Sequence, residues 1–141
     1  MTLLARSLLS EMSAHGRDAY PYECCGAMLG GRDRDGQATV ERLVRLDNVS
    51  GEDQRRRFFV SPDDYRSAEA EADDAGVALL GFYHSHPDHP AQPSTTDRDY
   101  AWPFFIYIII SIEKQEYRDI GTFTLDTGSG EFVSEDLTIS D

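Results

Sequence analysis

The sequence VALLGFYHSHPDHPAQPSTTD, residues 77–97, contains the change from strand to loop to helix around which the rest of the chain is organised. Its first part, Val77 to Tyr83, is short and apolar and predicts a buried strand. Three prolines in the following residues predict an extended loop, because proline restricts its own backbone and that of its predecessor. Ser94 to Asp97 ends the loop and begins a short helix. The strand therefore delivers His84 and His86 to the start of a loop.

Two longer helices are predicted outside this stretch. Apolar residues at helical spacing predict the first over residues 2–15, with Gly16 ending it and His15 as a cation near the carboxyl end of the helix dipole. The second begins at Ser61, an N-cap followed by proline and two acids, and ends at Gly76. Each helix needs a sheet or another helix to cover its apolar face.

The remaining apolar segments predict strands. The first of these alternate with helices, and the later ones follow one another directly along the chain. The predicted strands are residues 24–30, 39–49, 57–60, 77–83, 104–112, 117–125 and 131–139. This order predicts an α/β fold in which one mixed central sheet is flanked by helices. A length of 141 residues is that of a single domain, so we expect residues 1–141 to form one.

Composition and charge exclude several classes of partner. Thirteen basic and 26 acidic residues give a net charge of −13, which argues against nucleic acid. The longest apolar stretch, residues 102–112, is shorter than the roughly 20 residues of a membrane span. The N-terminus lacks the features of a secretion signal, so we expect a cytoplasmic protein. Cys24 and Cys25 are adjacent and predict two buried thiols in a reduced compartment.

The His84 and His86 pair offers metal ligands. Residues two apart on a strand point to the same side, so both imidazoles would face one site at the strand end. The proline loop returns Asp97 as a third ligand. Two imidazoles and a carboxylate leave a fourth position open, which is the arrangement of catalytic zinc, and zinc of this kind supports hydrolysis.

Each of these signals also has an ordinary structural explanation. A His-x-His pair occurs by chance, and Ser94 with Asp97 three residues later fits a capping box at a helix start. Glu23 on its own would be taken for a solvated acid at a strand edge. The functional prediction therefore depends on the joint spacing of the histidine pair, the proline loop and the Ser94–Asp97 pair.

That joint pattern resembles the JAMM motif of the MPN-domain zinc metallopeptidases. His84-Ser85-His86-Pro87, followed by Ser94 and Asp97, has the family's spacing, and an upstream glutamate before a Cys-Gly pair is matched by Glu23-Cys24-Cys25-Gly26. The motifs span residues 21–97. The resemblance implies the MPN fold, a mixed sheet of the cytidine deaminase-like kind.

The resemblance also implies roles for five residues. His84, His86 and Asp97 would bind one Zn²⁺ per chain, Glu23 would be the general base, and Ser94 would stabilise the oxyanion. Ser85, between the ligands, would point the opposite way and have a packing or supporting part.

The substrate implied by the resemblance is a ubiquitin-like or sulfur carrier protein, cut at the amide bond after its terminal Gly-Gly. The alternative is a non-catalytic MPN module that only binds partners. A nucleobase deaminase would require Pro-Cys-x-x-Cys and His-x-Glu, which are not present. The sequence leaves the oligomeric state open.

Overall fold

A single mixed sheet forms the centre of the protein. The computed structural model describes residues 1–46, 60–99 and 101–141, apart from the side chain of Thr96. Within these residues the sheet has eight strands. The elements in chain order are β1 (Thr2–Ala5), α1 (Arg6–Ala19), β2 (Cys25–Arg32), β3 (Ala38–Leu46), α2 (Pro62–Ala75), β4 (Ala78–Pro87), α3 (Thr95–Asp99), β5 (Ile106–Glu113), β6 (Glu116–Leu125), β7 (Phe132–Ser134) and β8 (Leu137–Ser140). Their order across the sheet is β7-β6-β5-β4-β2-β3-β1-β8.

The two long helices cover opposite faces of this sheet. Met12 of α1 packs in a cluster with Tyr83 and the even-numbered isoleucines of β5, while Ala68 and Ala72 of α2 pack with Phe82 and Tyr107. Neighbouring residues of a strand point to opposite faces, and most side chains of β4 and β5 are buried on both faces of the sheet. The predicted fold class, a mixed central sheet flanked by helices, is confirmed.

The start and end of α2 follow the predicted signals. The Ser61 side chain accepts a hydrogen bond from the amide of Asp64 at 3.1 Å, and Gly76 ends the helix with a φ of 72°. A left-handed backbone suits glycine because it has no Cβ. Ala68 and Ala72 on the packed side of the helix are buried, whereas Ala75 near its end is exposed.

The N-terminal helix begins later than predicted. Thr2–Ala5 forms β1, which pairs in parallel with β3 and β8, and α1 then runs from Arg6 to Ala19. Gly16 therefore lies inside the helix instead of ending it. Packing explains the glycine at this position, since a Cβ there would lie only 2.7 Å from the Ile112 side chain.

The C-terminal prediction of one strand over 131–139 is wrong. β7 pairs with β6 at one edge of the sheet, whereas β8 pairs with β1 at the other edge. The predicted strand at 39–49 corresponds to β3, and its last three residues lie outside the described part of the chain. The strand predicted at 57–60 also lies outside it, except for Val60, which is not in a strand.

His15 is a buried neutral residue, which corrects the prediction of a cation at a helix end. Its Nδ1 lies 2.7 Å from the Tyr83 hydroxyl, and 8% of the residue is exposed. Burial is the main cause that lowers its pKa to about 4; Arg45 adds to this effect and Asp18 opposes it.

This lowered pKa predicts a pH-dependent stability. The unfolded chain takes up a proton near pH 6.5 that the folded chain refuses until about pH 4, so stability is lost as the pH falls. We expect His15 to account for a loss of about 2 kcal/mol in unfolding free energy between pH 7 and pH 5. Urea titrations of metal-free wild type and His15→Gln measure this share. Equal pH dependence of the two proteins would contradict it.

Among the described residues, we find no helix with the length and apolar character needed to span a membrane.

Candidate active site

The end of β4 places two histidines on one face at the centre of the sheet. β4 lies between β2, where Cys25 is opposite His84, and β5, where Ile109 is opposite His84. This central position leaves His84 1% and His86 8% exposed. Their Nε2 atoms lie 3.1 Å apart. The predicted same-side arrangement of the pair is therefore present.

Asp97 reaches the histidine pair from α3. Its Oδ1 lies 3.2 Å from His84 Nε2, and its Oδ2 lies 3.1 Å from His86 Nε2. Ser94 holds this carboxylate in place, because its amide donates to Oδ2 at 2.8 Å and its Oγ accepts from the Asp97 amide at 3.1 Å. The capping interactions that the spacing also predicted are thus present, and they orient Asp97 toward the histidines.

Glu23 lies against the same pair, although it is far away in sequence. It belongs to the short segment before β2, and it is buried with 3% exposure. One ligand atom each of Glu23, His84 and His86 lie within 4.8 Å of one another. Antiparallel pairing of β2 with β4 causes this proximity, because the start of β2 is opposite the end of β4.

The donor atoms of His84, His86 and Asp97 fit a tetrahedral zinc ion. Bonds of about 2.0–2.1 Å in tetrahedral geometry place ligand atoms roughly 3.3 Å apart. The separations of 3.1–3.2 Å between His84 Nε2, His86 Nε2 and the Asp97 oxygens are close to that value. The Nδ1 of His86 lies 3.0 Å from the Pro90 carbonyl, so a proton on Nδ1 in a metal-bound state would leave Nε2 as the ligand atom.

Burial and charge give these groups the protonation states that a metal requires. Burial lowers the pKa of His84, and the neighbouring Asp97 opposes the shift without reversing it. For Asp97, burial alone would raise the pKa. The charge and hydrogen bond of His84, with hydrogen bonds from His86 and the Ser94 amide, outweigh burial and hold this pKa well below its usual range. At neutral pH, His84 is neutral and Asp97 is ionised.

The loop between β4 and α3 is attached to the sheet at several points. Ser111 of β5 donates a hydrogen bond of 2.6 Å to the carbonyl of His89. Ala91 is buried against Ile109 and Phe123, and its carbonyl oxygen would lie 2.8 Å from a Cβ at Gly121. The absence of a side chain at Gly121 therefore lets the loop lie directly on β6.

A groove of about 470 Å³ opens over the cluster. Glu23 and His86 lie in it, and Ser94 is exposed at its edge. The other lining residues are Pro87, His89, Pro90, Gln92 and Pro93. The three prolines, at every third position, contribute to a mainly apolar lining.

The structure brings together all five residues that the sequence singled out. Glu23, His84, His86 and Asp97 form the buried cluster, and Ser94 connects Asp97 with the groove. Ser85 lies between the two histidines, and its hydroxyl accepts a hydrogen bond from the amide of Cys24 at 2.9 Å. The two cysteines are buried thiols, and Cys25 Sγ lies 3.9 Å from the Leu46 carbonyl oxygen.

Sequence analysis missed two polar residues next to this site, Tyr20 and Asp88. The Tyr20 hydroxyl donates to Asp88 Oδ2 at 2.6 Å. Their only sequence signal is position, since Tyr20 precedes Glu23 by three residues and Asp88 follows His86 by two.

Comparisons with known proteins show which domain this chain matches. A family model described as prokaryotic homologs of the JAB domain matches residues 5–122. The desampylase of Haloferax volcanii is 34% identical over 113 residues, which are 77% of this chain and 78% of that protein. A probable TtuB-protein conjugate cleaving protease of Thermus thermophilus is 33% identical over 105 residues, 72% of this chain and 66% of that protein.

One similar protein is much longer than this chain. The tail tip assembly protein K of Escherichia phage N15 is 34% identical over 95 residues, 67% of this chain, and the match spans 34% of that protein.

Solved structures also match over nearly the full length. A solution structure from Desulfitobacterium hafniense has a TM-score of 0.87 and 32% identity, covering 100% of this chain and 94% of that one. Another solution structure, from Salinibacter ruber, has a TM-score of 0.77 and 40% identity, covering 98% of this chain and 91% of that one. A JAB1/MPN domain protein from Archaeoglobus fulgidus, with a TM-score of 0.62, 21% identity and 98% coverage of both chains, has the same fold.

Proposed function

Because the chain belongs to the prokaryotic homologs of the JAB domain, we propose that it is a zinc metallopeptidase. Its proposed reaction is hydrolysis of the amide or isopeptide bond after the terminal Gly-Gly of a ubiquitin-like or sulfur carrier protein. The observation that carries this proposal is the convergence of two histidine Nε2 atoms and the Asp97 carboxylate, with Glu23 buried beside them in a groove.

The proposed ligands are His84, His86 and Asp97, which together hold one Zn²⁺. When bound, zinc would supply a Lewis acid that polarises the scissile carbonyl and makes water easier to deprotonate. This leaves Glu23 for proton transfer. Its carboxylate would take the proton from the attacking water and give it to the departing amine, a service worth about 10²–10⁴-fold in rate.

Ser94 is proposed to stabilise the developing oxyanion. Its Oγ already accepts a hydrogen bond from the Asp97 amide, and the hydroxyl proton remains for donation to a substrate oxygen. Ser94 is exposed at the groove edge, where a substrate carbonyl has access to it.

We expect Ser94→Ala to lower turnover by about 10²–10³-fold, because one oxyanion donor is lost. Steady-state kinetics of zinc-saturated protein measures the effect. Ser94→Thr keeps a hydroxyl and a cap and should recover most of the rate. Normal turnover of zinc-saturated Ser94→Ala would assign the hydroxyl to helix capping alone.

The lining of the groove supports a glycine-rich tail as the substrate. Three prolines, which donate no backbone hydrogen bonds, line a cavity of about 470 Å³. An extended tail with two glycines would pass them without side-chain clashes. The Thermus relative, a probable TtuB-protein conjugate cleaving protease, supports the same class of substrate. The proposed setting is the cytoplasm, where free thiols persist.

Two fusion proteins test the proposal. A ubiquitin-like sulfur carrier is joined through its terminal Gly-Gly to a reporter protein, and a matched fusion carries Ala-Ala. We expect cleavage after the second glycine, established by product mass, abolished by a chelator and restored by zinc. The Ala-Ala fusion should be cut far more slowly. Binding of one zinc without cleavage of either fusion would favour the non-catalytic module instead.

A further inference from the structure

Glu23 lies outside every helix and strand of the site. α1 ends at Ala19 and β2 begins at Cys25, so residues 20–24 form a short irregular connection. Contacts of the residues on either side of Glu23 contribute to its position, which matters because a general base acts only within hydrogen-bond distance of the proton it takes.

On the carboxyl side, the backbone of Cys24 is joined to Ser85. The Cys24 amide donates to Ser85 Oγ at 2.9 Å, and the Ser85 amide donates to the Cys24 carbonyl at 3.1 Å. Ser85 is fully buried and lies between His84 and His86. This double contact holds the residue after Glu23 against the strand of the two histidines.

On the amino side, Tyr20 is joined to Asp88. The Tyr20 hydroxyl donates to Asp88 Oδ2 at 2.6 Å, and the Lys114 amide donates to Asp88 Oδ1 at 2.8 Å. The Asp88 amide donates to the Ile112 carbonyl at 2.7 Å. Asp88 is thus attached to the β5–β6 hairpin, and Tyr20 is attached to Asp88.

The backbone of Asp88 supports a specific role for this residue. Its φ is 58°, in the left-handed region that residues other than glycine, asparagine and aspartate seldom adopt. This conformation occurs two residues after His86, where β4 ends and the chain turns. It directs a carboxylate whose two oxygens accept hydrogen bonds from two other parts of the chain.

We propose that Tyr20 and Asp88 are positioning residues for Glu23. Their hydrogen bond fixes the beginning of the 20–24 connection to the end of the histidine strand, while Ser85 fixes its end, so that Glu23 is held over the site from both sides. This inference rests on the proposed function for its effect on catalysis. It goes beyond that function because neither residue belongs to the ligand set, the base or the oxyanion donor.

Tyr20→Phe tests the inference, because it removes the hydroxyl and leaves the ring. Steady-state kinetics of the full-length zinc-loaded protein on the Gly-Gly reporter fusion should show kcat lowered about tenfold, since small displacements of a catalytic group cost up to about 10²-fold. KM and zinc content should remain within about twofold of wild type, because the groove and the ligands are unchanged.

The matched control is Tyr65→Phe. It removes a similar hydrogen bond from a tyrosine hydroxyl to a carboxylate, that of Tyr65 to Glu69 at 2.9 Å within α2. We expect wild-type kcat from this variant. A kcat in Tyr20→Phe equal to that of wild type, or an equal loss in both variants, would overturn the proposal.

A double variant tests whether Tyr20 acts through Asp88. Asp88→Asn keeps a residue that tolerates the left-handed backbone and still offers one acceptor oxygen. If the two residues act through one hydrogen bond, Tyr20→Phe/Asp88→Asn should be no slower than the slower single variant. Fully additive losses would contradict a shared role.

Hydrogen exchange of the zinc-free protein gives a readout that does not depend on activity. We expect the Cys24 amide to exchange several-fold faster in Tyr20→Phe than in wild type or Tyr65→Phe, because one end of the connection is released. Unchanged exchange would overturn the positioning role. If wild type cleaves neither fusion, the proposed function fails, and the exchange data still decide the inference.

Discussion

A His84→Ala protein is expected to lose zinc binding by more than about 100-fold, since even the loss of a partner that only orients a ligand costs about 10–100-fold. His84 is the most deeply buried of the proposed ligands, and its Nε2 lies within 3.2 Å of both other donors. Hydrolysis should fall to background with the metal. Mass spectrometry under native conditions and a chelator-competition titration measure the change.

His89→Ala is the matched control for metal content. His89 lies in the same loop but is exposed at the groove wall, so this variant should retain one zinc. His84→Ala removes one of the three partners of the buried Asp97 carboxylate and thereby destabilises the fold. Asp97→Asn provides a second test, because it keeps the shape and removes the anionic ligand. One equivalent of zinc bound tightly by both ligand variants would exclude the proposed site.

Glu23→Gln is expected to keep zinc and lose about 10²–10⁴-fold in turnover, the usual contribution of a general acid–base group. The amide has nearly the same shape as the carboxylate but cannot accept a proton at neutral pH. Because the proposed ligands are three other residues, zinc content and unfolding free energy should change little. Kinetics with the Gly-Gly reporter fusion and metal analysis of the same sample separate the two effects.

Glu116→Gln controls for the loss of one negative charge, since Glu116 is exposed at the start of β6. Its turnover should equal that of wild type. If Glu23→Gln also turns over normally, Glu23 is not the base. If it instead loses zinc, Glu23 acts as a ligand, as its distance of at most 4.8 Å from both histidines permits.

The central part of the fold was predictable because local signals and tertiary packing agree there. Ser61 and Gly76 mark the ends of α2, and the continuous apolar run of β5 marks a strand buried on both faces. The proximity of His84, His86 and Asp97 was also predictable, because strand alternation and a proline-stiffened loop act over few residues. Their role as zinc ligands remains a prediction.

The edges of the sheet were not predictable, because their strands are short and depend on partners far away in sequence. Thr2–Ala5 carries apolar residues that fit the helical spacing of α1, and only pairing with β3 and β8 makes it a strand. The segment after residue 131 contains two short strands that pair at opposite edges of the sheet. No local pattern distinguishes this from one strand.

The same limit applies to Glu23, Tyr20 and Asp88. The proximity of Glu23 and Tyr20 to the histidines results from antiparallel pairing between β2 and β4, and Asp88, although two residues from His86, contacts Tyr20 only across the end of the sheet. Only the resemblance to a family motif drew attention to Glu23. Tyr20 and Asp88 match no such motif and were found from the structure.

The separation of the site along the chain also bears on how the enzyme assembles. All three proposed ligands come from residues 84–97, whereas Glu23 joins them only after the distant β2 has docked. Contacts that are local in sequence form faster than contacts that close long loops. We therefore expect the three proposed ligands to come together earlier in folding than the proposed base. Proteolytic competence would arise last, when the central strands are already paired.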